Sequence, residues 1–249
     1  MRMGAALHHG SITAIDLSQS PFQLTVDDRE ILLADAVIVA TGASAKYLGL
    51  KNEQRLIGQG VSVCATCDGA FYRDREIAVV GGGDVALEEA LFLTRFASKV
   101  YVIHRRQALR ATQLVQERAF ANPKIVFIWN TVVSDVLGDR EVEGLQLQDV
   151  VTGKISTLPV AGLFVAIGHQ PDTALFQGWL NMNQQGYLLT ESDSTKTNIA
   201  GVFACGDVQA NAYRQAITAA GTGCMAAIDA ERWLTQQEFS QSAEQSLKS

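Results

Sequence analysis

Cysteine is scarce in this chain, four residues in 249, and a chain of that length with 47% hydrophobic residues can bury a core without a secreted, disulfide-stapled framework. Two of the four stand together as Cys64-x-x-Cys67, whereas Cys205 and Cys224 are single and distant. No second pair completes a tetrathiolate zinc site, and His8, His9, His104 and His169 show no metal-ligand spacing, so no metal is inferred. Long apolar runs are also missing. The stretch from Ile31 to Ala43 is short and contains Asp35, and the amino terminus offers no charged region followed by an apolar core and a cleavage site. Neither a membrane span nor export is therefore read. Positive charge is in deficit, 20 Lys+Arg against 26 Asp+Glu for a net charge of -6, which argues against nonspecific attraction to nucleic acid or anionic membrane. The cysteine usage suits a reducing compartment, the cytoplasm. Repeats and low-complexity tracts are absent. After Trp233 the residues Thr235, Gln236, Gln237, Ser240, Gln241 and Ser242 carry no apolar periodicity, and that tail is expected to be frayed or solvated.

What is present alternates. Phe22, Leu24 and Val26 interleave with polar neighbours, and an apolar strand from Ala36 to Ala40 runs into Thr41-Gly42, so the chain opens in β structure. The strand Ile77 to Val80 leads directly into Gly81-Gly82-Gly83, and Val85, Ala86, Ala90, Leu91 and Leu93 then suit a helix. Lys99 to Ile103 reads as another strand, Ala108 to Phe120 as a helix, and Ile125 to Trp129 as the next strand. Thr131 to Leu158 predicts a β-meander, Leu163 to Ile167 a buried strand ending at Gly168, Val202 to Cys205 a last strand, and about Tyr213 to Trp233 a helix. Alternation of strands and helices implies a parallel sheet and an α/β fold.

Two constellations carry chemistry. Gly81-Gly82-Gly83-Asp84-Val85-Ala86 fits G-x-G-x-x-A at a strand-to-helix turn, where backbone approaches a pyrophosphate closely; alone, such a run is often only a tight turn. About twenty residues further on, an NAD site would carry an acidic residue for the ribose hydroxyls, but this chain offers Arg105, Arg106 and Arg110. Guanidinium forks suit a 2′-phosphate, which favours NADPH; the plainer reading is a solvated basic edge. Cys64-Ala65-Thr66-Cys67-Asp68 is the second constellation, whose spacing lets the sulfurs close a disulfide or open a reactive dithiol, with Asp68 able to move a proton. By itself C-x-x-C also suits half a zinc site or two buried thiols, and the neighbouring nucleotide signature favours redox work.

Together, these two constellations, His104-Arg105-Arg106 with Arg110, and Gly206-Asp207 followed by Arg214-Gln215-Ala216 resemble low-molecular-weight thioredoxin reductase, in the same order and from about Ser11 to Leu234. The resemblance implies two Rossmann-like three-layer domains with β-meanders. A discontinuous FAD-binding domain would span 1–47 and 174–249, and an NADPH-binding domain carrying the cysteines would span 48–173, with hinges at the boundary strands. It places Thr41, Gly42, Gly206, Asp207, Arg214, Gln215 and Ala216 at the flavin, and Gly81, Gly82, Gly83, Asp84, Ala86, His104, Arg105, Arg106 and Arg110 at NADPH. It implies that hydride passes from NADPH to FAD, that the Cys64/Cys67 disulfide is then reduced with Asp68 as acid-base group, and that the dithiol reduces thioredoxin. A homodimer and a domain rotation between half-reactions are implied too.

Family members open with a βαβ unit bearing its own glycine fingerprint, and no such segment precedes Met1. The flavin domain is accordingly expected to be incomplete at its amino terminus, short of a central strand, which sets FAD retention as a question for measurement. Val85 stands where the family usually has Ser or Thr, removing one hydroxyl contact to phosphate while backbone contacts stay possible. Two rival readings are the reductase component of a peroxide-reducing system, which normally favours NADH and carries thioredoxin-like domains, and a noncatalytic NADPH-binding or redox-sensing remnant.

Overall fold

The computed structural model describes residues 4–209 and 213–248. The chain divides into two compact units, Met1–Ser44 with Gln170–Ser249, and Ala45–His169. The crossings thus fall at 44/45 and 169/170 rather than at 47/48 and 173/174.

In the continuous unit, five parallel strands stand in the order Val61–Ser62, Leu163–Val165, Glu76–Val80, Lys99–Ile103, Ile125–Ile128. Their near-continuous apolar sequences suit strands covered on both faces. Alternation then sorts the side chains. Ile77, Val79, Val100 and Val102 pack against Ala86, Leu87, Ala90 and Leu93 of the helix Asp84–Leu93 and Ala119 of the helix Gln113–Phe120. Ala78 and Ile103 turn the other way, onto Val133, Val136, Leu145 and Leu147 of the antiparallel meander Thr131–Leu137, Gly144–Asp149, Ile155–Pro159. The layers are helix, sheet and meander, as expected for a Rossmann-like unit.

The discontinuous unit repeats the plan. Its antiparallel meander, Ile12–Asp16, Phe22–Val26 and Glu30–Ala34, precedes the strand Val37–Val39, which pairs in parallel with Val202–Ala204. Leu17, Phe22, Val39, Val202 and Ala204 share one core cluster, and Phe203 and Cys205 pack on Ala226 and Ala230 of the helix Ala216–Lys248. Among the described residues the parallel sheet of this unit has two strands, against five in the other.

One expectation needs correction, and the tail, expected to be frayed or solvated, is a solvated helix. The helix expected from Ala108 starts at Gln113, because Arg110 N and Ala111 N donate to Gly82 O at 2.7 and 3.2 Å instead of entering a helical ladder. The tail beyond Trp233 is helical to Lys248, with Thr235 to Ser240 exposed; the side chains of Gln241 and Ser242 lie outside the described set. Helix formers such as Gln, Glu, Ala and Leu sustain a solvated helix that apolar periodicity does not mark.

Glu89, on the helix Asp84–Leu93, has a buried carboxylate oxygen without a hydrogen-bond partner, and burial pushes its carboxyl up to about 7 from an ordinary 4.5. The folded unit then holds a proton that the unfolded chain releases between those values. The stabilisation is complete below 4.5 and lost as pH rises through about 7. Glu89→Gln, which cannot ionise, is expected to flatten thermal stability across that window and to melt about 5 °C above the parent near pH 8. A parent melting temperature unchanged between pH 5 and 8 would remove this assignment.

Candidate redox and dinucleotide sites

The strand Val61–Ser62 delivers the chain to Cys64, which caps the short helix Ala65–Asp68: its Sγ accepts from Cys67 N at 3.2 Å. Cys64 and Cys67 form a disulfide with Cα atoms 5.3 Å apart. Cys67 is exposed and Cys64 half-buried. Ala65 packs in the same core as Ala86 and Ala90, so the cysteine helix rests on the helix that follows the glycine turn. Ser62, which sequence reasoning missed, links the constellation. Its buried hydroxyl donates to Asp68 Oδ2 at 2.6 Å and accepts from Cys64 N at 3.1 Å, tying the carboxylate to the cysteine backbone. Burial, and after it the Asp68 charge, holds the Tyr72 phenol above its usual range.

Each glycine of Gly81-Gly82-Gly83 has its own reason. A Cβ on Gly81 would lie 2.5 Å from both Ala166 O and Ala86 Cβ, and one on Gly82 would lie 2.3 Å from the His104 ring. Gly83 meets nothing within 4 Å and faces open space at a cavity of about 640 Å³. Ala86 is fully buried, which explains a small residue at the end of the G-x-G-x-x-A pattern. The cavity walls include Gly81, Gly82, Gly83, Val85, Arg105 and Arg110, with the helix amino terminus supplying unpaired N–H groups suited to a phosphate. Arg106 is exposed and does not line it. His104 is buried, with Nδ1 3.0 Å from Gly81 O and Nε2 3.1 Å from Ala108 O. Asp84 also lines the cavity, but its Oδ1 accepts from Thr112 N and Oγ1, both at 2.8 Å.

The remaining candidates lie in the other unit. Ala40 and Thr41 line a second cavity, of about 670 Å³, with Val37 to Val39 and the meander residues Ile15 and Leu24. Thr41 Oγ1 donates to Asp172 O at 2.7 Å, and Gly42, at φ 74°, accepts from Asp172 N at 3.0 Å. Gly206, also at φ 74°, donates its N–H to Thr222 Oγ1 at 2.9 Å. Beside it, Asp207 Oδ1 is buried without a hydrogen-bond partner, as is Arg214 Nε. Arg214 donates from Nη2 to the Tyr187 hydroxyl at 3.0 Å and lies over the Tyr187 ring, a partner no local motif announced. Gln215 brackets Thr218 Oγ1 through its N–H and carbonyl, starting the helix at Ala216. A buried carboxylate oxygen and a buried guanidinium N–H left unpaired suit a ligand rich in hydroxyl and amide groups, which is what a flavin with its ribityl chain presents.

Among the described residues no cluster of His, Cys, Asp and Glu is placed to hold a metal ion, and no helix is long and apolar enough to cross a membrane. Burial pushes the Cys205 thiol up, away from reactivity, while Cys224 is exposed and single.

Residues 2–223 match the family model for pyridine nucleotide-disulphide oxidoreductase. A thioredoxin reductase of Streptomyces coelicolor is 54% identical over 233 residues, which cover 94% of this chain and 72% of that protein. Among solved structures, thioredoxin reductase from Giardia duodenalis superposes with a TM-score of 0.88 at 40% identity, over 94% of this chain and 77% of that one. The enzyme from Streptococcus pyogenes gives 0.85 at 39%, over 91% and 74%. The glycine turn beside a disulfide-bonded Cys64–Cys67, matched along nearly its whole length by these proteins, means that the chain belongs to the pyridine nucleotide-disulphide oxidoreductase family and, within it, to the thioredoxin reductases.

Proposed function

We propose that this chain transfers reducing equivalents from NADPH through FAD to the Cys64–Cys67 disulfide, and that the resulting dithiol reduces thioredoxin. The observation that carries this reading is a disulfide on a helix packed against the helix that follows the glycine turn, beside a cavity that Arg105 and Arg110 of the basic loop also line. Bound FAD would supply a two-electron carrier able to take hydride from a nicotinamide and deliver electrons to a disulfide. In this reading Asp207 and Arg214 hold it through their unpaired polar atoms, with Thr41, Gly42, Gly206, Gln215 and Ala216 shaping the backbone around it. Gly83 lets NADPH phosphates approach the helix N–H groups, and Arg105 and Arg110 take the 2′-phosphate.

The Cys64–Cys67 S–S bond breaks as it accepts an electron pair. Two protons complete the dithiol, one of them moved by Asp68, whose carboxylate Ser62 holds in place. A thiolate of the pair then attacks the thioredoxin disulfide. Exchange through a mixed disulfide returns the S–S bond to Cys64–Cys67 and leaves thioredoxin with two thiols. The composition supports a cytoplasmic setting. Exposed Tyr213, Ile217, Met225 and Phe239 beside or on the long helix support a homodimer.

The visible absorption spectrum before and after anaerobic NADPH, with thiols counted afterwards, tests the reading. A flavin spectrum bleached by NADPH, with two additional thiols, is expected. Protein that binds NADPH but takes up no added FAD and gains no thiols would instead be a noncatalytic nucleotide-binding protein. Asp207→Ala should lower flavin occupancy of the purified protein at least about tenfold, because it removes the buried acceptor. Unchanged occupancy by absorbance would take Asp207 out of the site.

A further inference from the structure

Asp84 poses a problem of charge. It stands at the first position of the helix after the glycine turn, where the reading above places NADPH phosphates, and bonds from Thr112 hold its carboxyl below the usual range, so it is an anion beside anions. A carboxylate there weakens phosphate binding by repulsion unless it does something else. Its Oδ1 accepts two bonds from one residue 28 positions away, Thr112 N and Oγ1 at 2.8 Å each. Thr112 caps the helix Gln113–Phe120, yet its hydroxyl makes no capping bond to that helix and is turned to Asp84 instead.

The segment between is the basic loop. Its far end is fixed by Arg110 N and Ala111 N on Gly82 O, its middle by Ala108 O beside His104 Nε2, and its junction with the next helix by Asp84. Arg105 and Arg110 lie within this span. We propose that Asp84 is a positioning residue for dinucleotide specificity: by clamping Thr112 it fixes the basic loop so that Arg105 and Arg110 meet the 2′-phosphate that distinguishes NADPH from NADH. The proposal rests on the NADPH reading above.

Binding of NADP⁺ and NAD⁺, which differ only in the 2′-phosphate, is measured by calorimetry on the full chain and on Asp84→Ala, Asp84→Asn and Thr112→Val. Asp84→Ala should cut the preference for NADP⁺ about tenfold through weaker NADP⁺ binding, with NAD⁺ unchanged or slightly tighter. Asp84→Asn keeps an oxygen for both Thr112 donors and should retain the preference, and Thr112→Val should lose part of it. Equal loss of both ligands in Asp84→Ala, an unchanged preference, or tighter NADP⁺ binding would overturn the clamp while leaving the NADPH reading intact. A parent chain that binds NAD⁺ as well as NADP⁺ would overturn both.

Discussion

Cys67→Ser is expected to bind NADPH as the natural chain does and to reduce no disulfide. The substitution removes one sulfur and little else. Residue 67 keeps the N–H that donates to Cys64 Sγ, so the cap of the short helix Ala65–Asp68 survives, and position 67 is exposed, so no cavity opens in the core. Ala65, which anchors the helix, is untouched. Without the second sulfur, however, Cys64 has no partner to share an electron pair, and a mixed disulfide formed at Cys64 has no thiol to resolve it. NADPH-dependent turnover of a disulfide substrate should fall about 1000-fold or more, to background. The calorimetric Kd for NADPH should change by less than about twofold, since neither cysteine nor the residues between them line the cavity at the glycine turn. Turnover at the parental rate would sink the assignment of Cys64 and Cys67 as the redox pair. Parallel loss of NADPH binding would mean that the cysteine helix supports the nucleotide cavity.

The features that could be read directly were those whose cause is local. The glycine turn is legible because strand, three glycines, small residue and helix follow one another within a dozen positions, and the buried strands because both-face coverage leaves near-continuous apolar runs. The basic loop misled because Ala108 to Ala111 has helix-forming residues, while the bonds that hold it out of a helix go to Gly82, almost thirty positions earlier. Ser62 and Tyr187 were invisible for the same reason. Ser62 lies in the pair of residues before Cys64, where a hydroxyl at a strand end signals only a turn, and its bond to Asp68 exists because the cysteine helix folds back over it. Nothing near Tyr187 in sequence points to Arg214. Arg106 shows the opposite limit: the sequence shows three basic residues, and in the structure Arg105 and Arg110 line the cavity while Arg106 does not.

That distinction gives the second large effect. Arg105→Ala with Arg110→Ala should raise the Kd for NADPH about 100-fold, whereas the Kd for NADH should move by less than about threefold. Charge-assisted bonds to a phosphate contribute about 1.5–3 kcal/mol each, and two such groups lost together would reach about 10⁴-fold if both were buried. Both are exposed, so solvent screening puts the expected effect at the low end. Raising the ionic strength from about 0.05 to 0.5 M should shrink the difference between variant and parent, because the screening length falls below the separation of exposed charges. Arg106→Ala alone should leave NADPH binding within about twofold of the parent, since an exposed arginine off the cavity contributes only to the general field. Equal weakening of NADPH and NADH by the double replacement would mean that the arginines bind the shared pyrophosphate rather than the 2′-phosphate. The preference for NADPH would then have to come from the cavity's other walls, where Asp84, an anion, repels rather than recruits a phosphate.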